Sequence, residues 1–270
     1  MSSPPNPYEN LPPVEPEFLP PVFAAPEPRS GENPPWNGWD VILIVAVTIG
    51  ASLVLGTGVV IAAHVLFRSL SWGKLAQVPE LVLTAQFLTY VVVFAVMYAT
   101  VASKARAFWK PIRWNWPRQW VAFLFAGTLL YFALAGLGQL LPIPKQLPID
   151  RFFNNAREAT LMSVFAVSMA PLMEELFFRG FLYPVLARRI GVSFGILLTS
   201  AAFAILHGAQ LKYSWAVLII FFVGLALTIV RAVTKSVACT FLMHVGYNGT
   251  LSLLMYVVTG GFRHLEKLNQ

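Results

Sequence analysis

Six polar side chains interrupt apolar stretches in the second half of the chain, and their spacing pairs them: Glu174, Glu175 and Arg179; His207; His244 and Asn248. An ionisable group in hydrocarbon costs a few kcal/mol or more, so each needs a partner, a wet cavity or a chemical task. Glu175 and Arg179 stand four apart, on one face of a helix, where they can neutralise each other. Glu174 is turned by about 100° from Glu175 and is left to point elsewhere. His244 and Asn248 are also four apart and can address one point. A carboxylate, two imidazoles and an amide around a buried cavity suit hydrolysis. A glutamate or histidine takes a proton from water, and polar donors stabilise the oxyanion of the tetrahedral intermediate. The residues alone leave a second version open, with Glu174, His207 and His244 holding a divalent metal such as zinc that activates the water. No HExxH sequence is present, so the chain is not an ordinary zincin.

The elements that must bring these groups together are membrane helices. Of the 270 residues, 57% are hydrophobic and only 11% are charged, against about a quarter charged in soluble domains. That balance excludes a soluble enzyme and a nucleic-acid-binding domain. The single cysteine, Cys239, excludes an internal disulfide. Seven apolar runs approach the ~20 residues needed to cross a bilayer: roughly 41–67, 81–101, 120–141, 160–186, 191–210, 215–230 and 237–258. The expected fold is an all-α polytopic membrane helix bundle of about seven transmembrane helices, with six to eight as the range. The run 160–186 is long enough to be kinked or split. Pro171 removes a backbone hydrogen bond one turn before Glu174, which would open the helix there. The mixed stretch Ile149–Glu158 reads as an interfacial helix.

Counted along the ~1.5 Å rise of each helix, Glu174, His207, His244 and Asn248 lie at ~18, ~24, ~10 and ~16 Å from one side of the membrane. Within a turn or two, they can share one layer.

Residues 1–40 differ in kind, holding 12 of the 20 prolines and six acids against Arg29. They read as a disordered acidic tail, with Pro13–Pro16 as a PxxP spacer. The remaining divisions are N-terminal transmembrane helices at 41–118, a catalytic core at 119–260 and a short C-terminal tail at 261–270. Connections rich in Lys and Arg put the tail on the basic side, and the positive-inside rule makes that side the cytoplasm of a plasma (inner) membrane.

Glu174-Glu175-x-x-x-Arg179, Phe203-x-x-x-His207 and His244-x-x-x-Asn248, in that order on successive apolar segments, resemble the motifs of the CAAX prenyl protease and bacteriocin-processing family, also called the ABI family. The resemblance covers about residues 120–260. It implies an α-helical intramembrane endopeptidase acting on a peptide or membrane-protein substrate within the lipid bilayer, with no nucleic-acid partner. By that analogy Glu174 and His207 activate the water, while His244 and Asn248 form the oxyanion hole. Glu175, Arg179 and Phe203 support them, the phenyl ring by packing on the His207 imidazole.

Two other classes compete. An ion-coupled transporter also uses buried Glu and His, but no internal repeat accompanies them here. A non-catalytic membrane interaction or immunity protein would keep the bundle without the reaction. Gly191-Val-Ser-Phe-Gly195 matches a nucleophile elbow, but that motif needs a preceding strand, and Ser193 reads instead as a helix N-cap. Ser193 with His244 is thus a rival constellation that leaves Glu174 unexplained.

Overall fold

A computed structural model describes residues 31–269, and the regular structure among them is helical throughout. The proline-rich stretch 1–30, including Pro13–Pro16, lies outside the described residues. In chain order the helices are α1 (Gly38–Leu66), α2 (Trp72–Leu75), α3 (Pro79–Ala102), α4 (Trp109–Ile112), α5 (Trp120–Gly138), α6 (Ala156–Val167), α7 (Met169–Glu175), α8 (Tyr183–Ile190), α9 (Val192–Leu206), α10 (Ala216–Thr234) and α11 (Val237–Val258). A π-helical segment, Leu176–Leu182, joins α7 to α8.

Six stretches are long and apolar enough to cross a membrane: α1, α3, α5, the run Ala156–Ile190, α10 and α11. Together with the shorter α9 they make the expected bundle of about seven. Their outward faces carry Ile42, Leu53, Val54, Phe125, Phe132 and Leu197, all exposed from protein, as a lipid-facing surface requires. The fold therefore cannot rest on burying those faces; it rests on close helix contacts and on polar groups satisfied inside.

α11 is the central element, lying along α5 and touching α6, α7 and α10. The α5–α11 contact is backbone on backbone. A Cβ placed on Gly127 would lie 2.0 Å from the Met243 carbonyl oxygen, and one on Gly246 would lie 2.1 Å from that of Leu124. Only glycine fits at such a crossing. Gly246 sits between His244 and Asn248, so the contact that seats α11 also fixes which way that motif faces.

Sequence boundaries shift in four places. First, residues 31–40 are ordered rather than tail: Glu32 and Trp36 are buried, and Asn37 with Asp40 forms a reciprocal cap on α1. Second, the stretch read as an interfacial helix is a 3₁₀ turn, Pro148–Phe152. Asn155 then caps α6, which runs straight into the fourth span. Third, that span breaks at Ser168 (φ −115°, ψ −76°), just where the Pro171 ring crowds the preceding turn. Fourth, α9 stops at Leu206 after 15 residues, a rise of ~22 Å against a hydrocarbon core of ~30 Å. Its N-cap is Gly191 (φ +86°), and Ser193 lies exposed in the first turn with no capping bond.

The N-terminal segment and the basic connections meet at one end of the bundle. Lys104 pairs with Asp40, Arg113 and Arg231 pair with Glu32, and Arg188 donates to the Pro34 and Trp36 carbonyls.

Candidate active site

Glu174 and Glu175 end α7, immediately before the π-helical segment, and their side chains enter different environments. Glu175 is fully buried, and its Oε1 accepts from Arg179 Nη1 at 2.8 Å, the pairing their spacing predicts. Arg179 is itself held on α10, donating from Nη2 to the Gly224 carbonyl (2.9 Å) and from Nε to Thr228 Oγ1 (3.3 Å). A guanidinium satisfied on each arm is the condition under which a buried charge is tolerated.

Glu175 Oε1 also faces His244 Nδ1 at 2.9 Å. A carboxylate only accepts, so Nδ1 carries the hydrogen and Nε2 is turned the other way. His244 Nε2 lies 3.9 Å from Glu174 Oε2.

His207 arrives from the C-terminal end of α9. Its Nδ1 lies 2.7 Å from the Phe203 carbonyl, again an acceptor only, so this ring is fixed in the same sense. His207 Nε2 lies 3.8 Å from Glu174 Oε1. Phe203 packs tilted on His207 (4.6 Å between ring centroids) and edge-on to His244 (5.9 Å), while the Arg179 guanidinium sits 4.7 Å from its centroid. One phenyl ring thereby locks both imidazoles, more than the single contact its spacing suggested.

Exposure divides the cluster. Glu174 and His207 keep 21% and 19% of their side-chain surface, whereas Glu175 and Arg179 keep none. Glu174 and His207 are therefore open to molecules outside the protein, while Glu175 and Arg179 lie enclosed behind them.

Asn248 lies one turn beyond His244, and its Nδ2 donates to the Ala166 carbonyl at 2.7 Å, in the last turn before the Ser168 break. An amide nitrogen has two hydrogens, so this bond occupies one of them. Among the described residues, no three His, Cys, Asp and Glu side chains are grouped so as to hold a metal ion.

Sequence reading missed several participants. Thr228 and the Gly224 carbonyl look like ordinary helix residues, and Arg231 looks like a loop base although it is buried in the last turn of α10. Tyr90, on α3, stacks with Phe165 at 5.8 Å. Nothing in its local sequence separates it from the other aromatics of that span. Ser193 begins α9, 14 residues and ~21 Å along the helix from His207, which removes it from this cluster.

Residues 156–250 match the family described as type II CAAX prenyl endopeptidase, Rce1-like. The matched stretch contains Glu174, Glu175, Arg179, Phe203, His207, His244 and Asn248. No curated protein and no solved structure matches the chain.

Proposed function

We propose that the chain, whose residues 156–250 match the type II CAAX prenyl endopeptidase family, is a member of it and hydrolyses peptide bonds within the membrane by carboxylate- and imidazole-activated water. One observation carries the reading: a part-exposed carboxylate, Glu174, faces the Nε2 atoms of two histidines whose Nδ1 atoms are tied down behind them.

Separations of 3.8 and 3.9 Å are too long for direct hydrogen bonds and suit a shared small molecule. In the proposed reaction, a water between Glu174 and His207 gives one proton to the Glu174 carboxylate while its remaining O–H donates a hydrogen bond to His207 Nε2. The resulting hydroxide attacks the scissile carbonyl carbon. His244, acting in its doubly protonated form, donates from Nε2 to the oxyanion, and Asn248 supplies a second donor from its amide. When the C–N bond breaks, the proton on Glu174 passes to the leaving amine. Glu175, itself held by Arg179, keeps His244 oriented.

The substrate is a peptide or membrane-protein segment reaching the cluster within the bilayer. The end bearing Lys104, Arg113, Arg188, Arg231 and Lys235 faces the cytoplasm, so the N-terminus is cytoplasmic. The proposed divisions follow: N-terminal helices α1 to α4 as a flank, and α5 to α11 as the protease core.

The test is cleavage of a pooled peptide library by purified protein in liposomes, beside Glu174→Ala and His207→Ala. Cleavage lost in both variants supports the proposal. A stable wild-type protein that cuts nothing across the library would transfer the argument to a binding role.

A further inference from the structure

The π-helical segment Leu176–Leu182 carries Arg179, and its register leaves one carbonyl without a helix partner. In an α-helix, the Arg179 carbonyl would accept from Tyr183 N–H, but that N–H reaches back five residues to the Phe178 carbonyl. The next residue, Pro184, has no N–H. The donor comes from another helix: Arg231 Nε bonds the Arg179 carbonyl at 3.1 Å. Arg231 is aimed by the N-terminal segment. Its Nη1 and Nη2 grip the two oxygens of buried Glu32 at 3.0 and 3.3 Å, with Arg113 and Lys235 beside the same carboxylate. Four residues on, Trp36 donates from Nε1 to the Phe181 carbonyl (3.1 Å) and stacks on its ring at 4.5 Å. Two side chains that precede the first span thus act, one directly and one through Arg231, on the backbone of a single turn.

We infer that Glu32 and Trp36 are positioning residues: they hold the register of the π-helical turn that carries Arg179 and, through Arg179 and Glu175, the orientation of His244. This rests on the reading of His244 as a donor in the reaction. Trp36 also packs in the buried apolar cluster with Met97, Ile112 and Phe181, whereas the Glu32 contacts fall on the cations around the turn. A π turn is a strained local choice, and such turns are kept by partners that supply the bonds the helix has lost.

The test uses the full chain in liposomes with Glu32→Gln, Trp36→Phe and, as a neutral comparison, Glu266→Gln, which changes an exposed side chain. Two readouts are taken on folded protein: the separate kcat and KM for a cleaved peptide, and the Nδ1–H signal of His244 in ¹⁵N-histidine-labelled protein, assignable because the chain has four histidines. Glu32→Gln is expected to lower kcat about 3- to 30-fold with KM unchanged and to move the His244 signal. Trp36→Phe, which keeps an aromatic ring there while removing the donor and part of the indole volume, is expected to shift both readouts in the same direction by less. Should Glu32→Gln not fold, Trp36→Phe decides alone. Wild-type kcat and an unmoved His244 signal in the folded variants would overturn the inference. If the wild-type protein cleaves nothing, the spectroscopic arm still decides: a moved signal upholds the latch while the protease reading falls, and an unmoved one ends both.

Discussion

His244 Nδ1 lies 2.9 Å from Glu175 Oε1, and this contact decides which imidazole nitrogen faces Glu174. The same oxygen receives Arg179 Nη1, so a fully buried charge pair is spent on orienting a ring at the edge of the part-exposed cluster. Glu175→Gln keeps the size and one acceptor but removes the charge that faces His244 Nδ1 and Arg179. The expected result is a loss of about 10²–10³-fold in kcat, the scale of one oxyanion donor, with little change in KM. Glu175→Ala goes further. It leaves Arg179 buried and unpaired, and a loss of about 3–5 kcal/mol in stability is expected, read as a lowered Tm in detergent.

Gly246 predicts a failure of assembly rather than of chemistry. With a Cβ 2.1 Å from the Leu124 carbonyl, Gly246→Ala must push α11 away from α5. The expected cost is about 1–3 kcal/mol or more, with activity falling in the folded remainder because His244 and Asn248 turn with the helix. Gly127→Ala, on the facing helix, tests the same contact from the other side. By contrast Gly56→Ala, where a Cβ meets nothing, leaves Tm unchanged.

Much of this was legible because charge in an apolar run is informative. The i,i+4 spacing of Glu175 and Arg179 gave their pairing, and depth along the helices brought Glu174, His207 and His244 to one level. The second role of Glu175, as partner of His244, was not legible, since it depends on how α7 and α11 rotate against each other, and glycine contacts set that rotation. The early stop of α9 was hidden because Gly208 and Ala209 carry the non-polar run on past His207, and such a run says nothing of where hydrogen bonding ends. Glu32 and Trp36 were hidden by company: surrounded by proline and acid, they read as tail, although Trp36 is fully buried and Glu32 nearly so. Composition averages over a segment, and here two side chains depart from the average.

Chelation separates the two chemistries that the residue types left open. Water activated by Glu174 and His207 needs no ion, so cleavage is expected to continue at its original rate after exhaustive treatment with a chelator. Activity that disappears with the chelator and returns on adding zinc or another divalent ion would contradict the proposed step.

The most direct measurement compares Glu174→Gln with Ser193→Ala in one liposome cleavage assay, each variant first shown to keep the wild-type Tm. Glu174→Gln is expected to retain no more than ~1% of the wild-type rate, the scale of a lost general base. Ser193→Ala, at the far end of α9, is expected to stay within about twofold of wild type. A Glu174→Gln protein that cleaves at the wild-type rate, or a Ser193→Ala protein that does not cleave at all, would contradict the account.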